Sequence, residues 1–134
     1  MYLVMLNSQE KELFLGLAYA IASSDGTYSD VEKKMINAYC QEMQIDFKED
    51  SMIKPVEDII LTFTKVSSEE IKKIVVFEAI GIAMVDGGYD ENERKIIIEM
   101  EEKFKLEAGF NKKCESLLNE YISIQHRMNQ LIIG

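Results

Sequence analysis

The segment ASSDGTYSDVEKKMI at residues 22–36 recurs as AMVDGGYDENERKII at residues 83–97. Matched positions lie 61 residues apart, as Ala22 and Ala83 do, and both copies follow the pattern A-x-x-D-G-x-Y-x-x-x-E-[KR]-K-x-I. A repeat at such a period is typical of one structural unit that is used twice and packed against its copy. We therefore expect two related turns that place the same acidic residues at two related points of the fold.

Apolar residues around both copies recur with the period of an α-helix, and no alternating, strand-like run competes with them. The sequence predicts an all-α fold, in which residues 1–134 form a single-domain bundle of about six to seven helices. Two helix–turn–helix units related by a pseudo-two-fold axis occupy about residues 8–45 and 67–106. A C-terminal helix follows at about residues 109–132.

The repeated turns contain signals for the ends of helices. Asp-Gly is expected to end the first helix of each unit, with the glycine in the left-handed conformation. Capping-box spacing at Ser29 and Glu32, and again at Ser67 and Glu70, predicts two helix starts. The helix near residues 69–85 is apolar around most of its circumference, which predicts a central position. The helix that follows the first turn is expected to bury Val31, Met35, Ile36, Tyr39 and Met43.

Composition excludes several classes of function. Acidic residues outnumber basic ones 24 to 15, and the net charge of -9 argues against nucleic-acid binding. The apolar stretch at residues 74–85 contains Glu78 and is too short to span a membrane. The two cysteines lack metal-ligand spacing, so they are expected to be buried free thiols in a reducing compartment. These features predict a cytoplasmic protein.

The repeated motif resembles the second half of an EF-hand calcium loop. Such a loop has Asp-Gly at positions five and six and a bidentate Glu at position twelve, and Asp25-Gly26 with Glu32 reproduce that spacing. Positions one and three would be Ile21 and Ser23, which offer no carboxylate. The second copy lacks the same ligands, so neither copy is a complete calcium loop.

The two half-loops would form one site if the pseudo-two-fold axis brings them together. Asp25, Glu32, Asp86 and Glu93 would then form a cluster of four carboxylates, which suits a hard divalent cation such as calcium or magnesium. A structural role explains most of the same pattern without metal. Asp and Gly are common where helices end, and Glu32 and Glu93 would cap the helices that follow.

Other residues give weaker signals. Glu78 interrupts an apolar helix, so it is either a buried carboxylate with a special environment or, as we expect from the usual exposure of Glu, a residue on a solvated edge paired with Lys or Arg. No nucleophile–base pattern, phosphate loop or zinc motif is present, so the chain is not expected to be an enzyme.

The C-terminal helix is apolar to its end. A stripe of Phe110, Cys114, Leu117, Leu118, Tyr121, Met128 and Leu131 runs along it. Met128, Leu131, Ile132 and Ile133 extend past the two-unit core, which predicts a surface for homodimerisation or for docking another protein. The alternative is that this helix simply closes the bundle.

A helix that ends in Ala-x-x-Asp-Gly is followed in both copies by a Glu that opens the next helix. In this pattern the chain resembles the TerB-like domain family over about residues 8–106. That family includes tellurite-resistance TerB proteins and the N-terminal regions of DjlA-type co-chaperones. The resemblance implies a duplicated bundle of about seven helices, a bacterial cytoplasmic or membrane-peripheral location, and a role in stress response with metal sensing or scaffolding. It assigns the family's acidic positions to Asp25, Glu32, Asp86 and Glu93, and no J-domain is present.

The sequence as a whole therefore predicts a non-enzymatic domain that binds a protein partner, with a divalent cation at the paired turns. The alternative is a metal-dependent hydrolase that acts through the clustered carboxylates together with Glu78.

Overall fold

The computed structural model describes residues 1–24, 26, 28–84 and 89–134. Over these residues a 3-10 helix at Leu3–Met5 precedes seven α-helices, and no strand is present. The helices are α1 (Ser8–Ala22), α2 (Asp30–Met43), α3 (Glu49–Met52), α4 (Val56–Val66), α5 (Glu69–Met84), α6 (Glu91–Phe104) and α7 (Phe110–Ile132). The prediction of an all-α bundle is confirmed.

The second helix of each repeat has the same bounds once the 61-residue offset is applied, since α2 begins at Asp30 and α6 at Glu91. Both helices end at a residue in the left-handed conformation, Gln44 with φ 58° and Lys105 with φ 56°. This conformation lets the backbone N–H groups that follow bond to the last free carbonyl groups of each helix. The sequence repeat is therefore also a repeat of local structure.

The first helices of the two repeats, α1 and α5, pack against each other at the centre. Helix α5 also contacts α6, α7 and the N-terminal 3-10 helix, which confirms its predicted central position. The buried apolar residues of both repeats belong to one continuous cluster. Gly16 of α1 allows α3 to approach closely, because a Cβ there would overlap the Met52 carbonyl oxygen and lie 3.1 Å from Ile59 Cδ1.

After the second helix the two repeats diverge. The first copy continues into the single-turn helix α3 and then into α4, whose N-cap position is held by Pro55. The second copy continues into the 23-residue helix α7, which begins after Gly109. The correspondence between the repeats therefore covers α1–α2 and α5–α6 and leaves α7 without a counterpart of its length.

Two expectations about helix faces and starts are wrong. Val31 is exposed, and the buried stripe of α2 contains Glu32, one position later, because adjacent helical residues point about 100° apart. The start of α5 is capped by Ser68, whose hydroxyl oxygen accepts a hydrogen bond of 3.2 Å from the Ile71 N–H. Ser67, which was expected to cap this helix with Glu70, has a different partner, described below.

Both cysteines are buried free thiols, as expected. None of the helices in the described part of the chain combines the length and apolar character needed to cross a bilayer.

Candidate functional site

The first Asp-Gly turn is fixed by contacts on both sides of it. The Ser23 N–H and hydroxyl donate to the Tyr19 carbonyl oxygen, at 2.9 and 2.6 Å. Gly26 has φ 88°, the left-handed conformation expected for it, and its N–H donates to the Ser23 carbonyl oxygen at 3.0 Å. Tyr28 packs edge to face on Tyr19, with 4.9 Å between ring centroids. Asp25, the first predicted ligand, lies outside the described residues.

Glu32 follows this turn and is 5% exposed. Its N–H donates to the Ser29 hydroxyl at 3.2 Å, which is one half of the predicted capping box. The Glu32 Oε2 atom is buried and has no hydrogen-bond partner among the described residues. Burying a carboxylate oxygen without a donor is costly. Glu32 therefore has an oxygen that an added donor or cation would stabilise.

The second turn has a complete capping box. The Glu93 N–H donates to Asp90 Oδ1 at 2.8 Å, and the Asp90 N–H donates to Glu93 Oε1 at 3.2 Å. Tyr89 lies under the Arg94 guanidinium, 4.2 Å from its ring centroid. Burial raises the pKa of Tyr89, and the neighbouring Glu115 raises it further. Asp86, the third predicted ligand, lies outside the described residues.

The structure brings the end of α1 into contact with the start of α6. The Asn92 side-chain amide, at the start of α6, donates to the Ser24 carbonyl oxygen, at the end of α1, over 3.5 Å. This contact joins the second residue after the end of α1 to the first turn of α6. The described residues alone contain no group of three His, Cys, Asp or Glu side chains arranged for a metal ion. Since Asp25 and Asp86 are outside that set, the four-carboxylate site stays a prediction.

Glu78 is buried, with 6% of its surface exposed, so the expectation of a solvated edge is wrong. Its cation is the ammonium group of Met1, 2.9 Å from Oε1, rather than a Lys or Arg side chain. The Tyr2 N–H donates to the same oxygen at 3.1 Å, and Glu42 on α2 also binds the ammonium group, at 2.9 Å. Burial lowers the pKa of this ammonium group, but the hydrogen bonds that it donates to Glu42 and Glu78, together with their negative charges, outweigh burial and raise the pKa overall.

This arrangement separates Glu78 from the Asp-Gly turns. Its neighbour Glu42 lies ten residues after Glu32 on α2, which corresponds to about 15 Å along the helix. Glu78 therefore anchors the N-terminal segment at the far end of α2. It does not extend a carboxylate cluster at the turns.

A second buried carboxylate was missed by the sequence reasoning. Glu10 is buried in α1, and its Oε1 accepts the Asn7 N–H at 2.9 Å in a capping box at the start of that helix. Its other oxygen accepts a hydrogen bond of 2.6 Å from the Ser67 hydroxyl, in the connection between α4 and α5. The spacing of Asn7 and Glu10 in the sequence was the available signal for the cap.

Helix α7 lies on the core only over its first half. Asn111, Cys114 and Leu118 are its buried residues, and residues 119–134 are all exposed. The exposed apolar side chains include Leu117, Tyr121, Ile122, Ile124, Met128, Leu131, Ile132 and Ile133. The predicted apolar end of the chain is therefore exposed in the single chain, and α7 extends beyond the part that packs on the bundle.

A groove adjoins this exposed helix. It has a volume of about 460 Å³ and lies between the N-terminal segment, α5 and α7. Its lining is mostly apolar, with Tyr2, Met5, Phe77, Phe110 and Leu117 as the main contributors. The groove and the free half of α7 therefore form one apolar surface that continues along the helix.

No protein-family model matches the chain, and no curated protein or solved structure shows significant similarity to it.

Proposed function

We propose that the chain is a non-enzymatic, acidic, TerB-like domain that binds a protein partner through α7. The observation that supports this most is the exposure of large apolar residues along a helix that continues beyond the core. Ile124 and Met128 are 49% and 53% exposed, and Leu131 is 83% exposed. Monomeric proteins rarely keep a contiguous apolar surface of this kind unless it binds something.

The wider setting of the proposal follows from the resemblance to TerB-like domains. It places the protein in the bacterial cytoplasm or at the inner face of the membrane, in a stress response. The acidic charge of -9 fits a partner that is a protein rather than a nucleic acid.

An affinity experiment tests the binding role of α7. The full chain is immobilised and exposed to extract of its source cells, in parallel with the variants Ile124→Asp and Ile98→Asp. Ile98 is a comparably exposed apolar residue on α6, so it is the matched control. We expect a retained protein that is lost with Ile124→Asp and kept with Ile98→Asp. Equal retention by all three chains would contradict the role of α7, as would retention by none of them together with a wild type that sediments as a monomer.

We also propose that a divalent cation binds between the paired turns and links them. Two observations support this part: the contact between Asn92 at the start of α6 and Ser24 at the end of α1, and the unpartnered buried oxygen of Glu32. Oxygen-only ligands favour calcium or magnesium. The cation would neutralise clustered negative charge in a chain that is already acidic.

Calorimetric titration with calcium, magnesium and manganese tests the cation. The proposal expects heat of binding and a raised melting temperature for the wild type, both lost when Asp25→Asn and Asp86→Asn are combined. Asp50→Asn, an exposed acidic position on α3, is the control. The absence of heat and of any thermal shift with all three ions would leave the turns with a purely structural role.

The hydrolase alternative gains no support from the geometry. It required Glu78 beside the clustered carboxylates, and Glu78 instead holds the Met1 ammonium group and the Tyr2 N–H.

A further inference from the structure

We propose that the partner of α7 is α7 of a second copy of this chain, packed antiparallel as a two-stranded coiled coil. This inference rests on the proposed function, because it needs α7 to be a binding surface. It adds the identity of the partner, the direction of the two helices and their register.

The apolar residues of α7 have the spacing of a coiled coil. They are separated alternately by four and three residues, which is the heptad period: Phe110, Cys114, Leu117, Tyr121, Ile124, Met128 and Leu131. The opposite side of the helix has the polar residues Lys112, Asn119 and His126 at seven-residue intervals. We call the apolar row the α7 seam. A helix that packs on a globular core alone does not need so strict a period.

Only the first part of the α7 seam has a partner within the chain. Cys114 is buried against the core, whereas Leu117, Tyr121, Ile124 and the seam residues beyond them are exposed. Three exposed apolar residues of the free half do not belong to the α7 seam: Ile122, Ile132 and Ile133. Ile122 lines a cavity with Met84 and Tyr89 on the α6 side. The free part of the α7 seam therefore has the pattern for pairing with a helix, and none of the described helices of this chain covers it.

The charges beside the α7 seam fit a second copy in one register. The two charged residues that flank its free part are Glu120 and Arg127, both on the same side of the seam. In an antiparallel pair these flanking positions face each other across the interface. Packing Tyr121 against Ile124 of the second copy places Glu120 beside Arg127 of that copy, and the two-fold symmetry makes this ion pair twice.

The other arrangements lack this match. Sliding the antiparallel pair by one heptad brings the two Glu120 side chains together in one direction and the two Arg127 side chains together in the other. A parallel pair would place these residues beside Gln125 and Ile132, which are uncharged. Like charges that meet across an interface are unfavourable, so the charges select one register.

The adjoining groove receives the end of the second helix in this register. Met128 of the second copy lies opposite Leu117, which lines the groove. The last turn of the second helix lies beside the groove, because Cys114, the next residue of the α7 seam, is buried against the core. Its end therefore covers the apolar side chains of Tyr2, Met5 and Phe77. One contact thus covers both the free part of the α7 seam and the groove.

The charge of α7 also favours a second copy over a lipid surface. No acidic residue follows Glu120, so two chains of net charge -9 can meet at this end with little repulsion. A helix that binds anionic lipids usually has several Lys or Arg residues on its polar face. Beyond Glu120, the only Lys or Arg residue is Arg127.

Charge reversal tests the register. We would measure self-association of the full chain by sedimentation for Glu120→Arg, for Arg127→Glu and for their equimolar mixture, with a dye on the Glu120→Arg chain alone. Each single variant places like charges together twice, so its dissociation constant should rise roughly tenfold. In the mixture both contacts become opposite charges, and the labelled chain should recover wild-type affinity. Lys112→Glu, on the opposite side of the same helix, should change nothing.

Three results would overturn the proposal in distinguishable ways. A wild type that is monomeric at every concentration would contradict a second copy as the partner of α7. Retention of another protein through Ile124 would then still support the proposed function. A dimer that Ile124→Asp dissociates, but that the mixture does not restore, would contradict the antiparallel register alone. A monomeric wild type that co-floats with vesicles containing anionic lipid, together with an Ile124→Asp variant that does not, would identify a membrane as the partner of α7 instead.

Discussion

Ser67 and Glu10 form a hydrogen bond that joins the start of α1 to the connection between α4 and α5. The donor hydroxyl lies 2.6 Å from a carboxylate on a residue that is 4% exposed. Ser67→Ala leaves that buried oxygen without its donor, so we expect the free energy of unfolding to fall by about 1–3 kcal/mol. Chemical denaturation measures this change. Ser116→Ala, at an exposed position on α7, is expected to stay within about 0.5 kcal/mol of the wild type.

Two helical glycines make a matched pair. A methyl group at Gly16 would overlap the Met52 carbonyl oxygen, whereas one at Gly81 meets no atom within 4 Å. Gly16→Ala should therefore destabilise the protein by about 1–3 kcal/mol. Gly81→Ala should stabilise it by roughly 1 kcal/mol, because alanine favours the helix. Thermal unfolding of both variants measures the difference, and equal changes would refute the close approach of α3 to α1.

Single buried polar residues were the hardest part of the structure to predict. The spacing of Asn7 and Glu10 was enough to suggest a cap, but the partner Ser67 is brought in by the packing of α4 and α5. Glu78 was recognised as unusual within an apolar helix, and its partner is the Met1 ammonium group at the other end of the sequence. Local sequence patterns do not encode such long-range pairings.

At the scale of helices, the left-handed residues that end α2 and α6 give the sharpest prediction. Gln44 and Lys105 have φ values of 58° and 56°, where a side chain is unfavourable and glycine is not. Gln44→Gly and Lys105→Gly should each stabilise the protein by about 1 kcal/mol. Gln41→Gly, inside α2, should instead destabilise it by about 1 kcal/mol. Differential scanning calorimetry of the three variants distinguishes these effects.

Capping signals predicted helix starts to within one residue, whereas a start that packing decides was not predicted. Ser29 precedes α2 as expected, because its hydroxyl oxygen accepts a backbone N–H, and the cap of α5 is Ser68 in place of Ser67. The one-turn helix α3 has no side-chain cap, and no periodic pattern pointed to it. At the start of α2 the usual burial of Val and exposure of Glu are reversed. Val31 is exposed and Glu32 is buried, since the capping position of Glu32 faces the core.

For the molecule as a whole, the groups with raised pKa values predict loss of stability in alkali. Burial, followed by Glu101 and Glu115, raises the pKa of Cys114 from 9.0 to about 11, and the pKa of the Met1 ammonium group is raised from 8.0. A pKa that is higher in the folded state gives stability that is complete below the unfolded value and lost as the pH rises through the folded value. Melting temperatures should therefore fall from about pH 8 to pH 11.

Cys114→Ala tests the assignment of this pH dependence. The variant removes the thiol, so its melting temperature should fall less steeply than that of the wild type between pH 9 and about 11. Parallel curves for the two proteins over this interval would exclude Cys114 as a cause. Comparing slopes rather than absolute values removes the effect of the small cavity that alanine leaves.

The all-α architecture was predictable because the repeat and the helical period of its apolar residues predict two related pairs of helices. The doubled Asp-Gly motif predicted the two helix pairs α1–α2 and α5–α6, and the contact between Asn92 and Ser24 joins the first helix of one pair to the second helix of the other. Only Glu32 and Glu93 of the predicted cation site can be compared with the structure, since Asp25 and Asp86 lie outside the described residues. The exposed half of α7 was expected from Met128 to Ile133. The heptad period of α7 does not by itself distinguish packing on the core from pairing with another helix. The structure distinguishes them, because the second half of α7 lies beyond the core.

The most direct test of the account is the mass of the full chain in solution, measured by sedimentation equilibrium over a range of concentrations. Pairing through α7 predicts a dimer of twice 15.4 kDa for the wild type and for Ile98→Asp, and a 15.4 kDa monomer for Ile124→Asp. Because Ile124 is exposed in the single chain, its substitution should leave the helical content unchanged. A 15.4 kDa species for the wild type at every concentration would contradict pairing through α7.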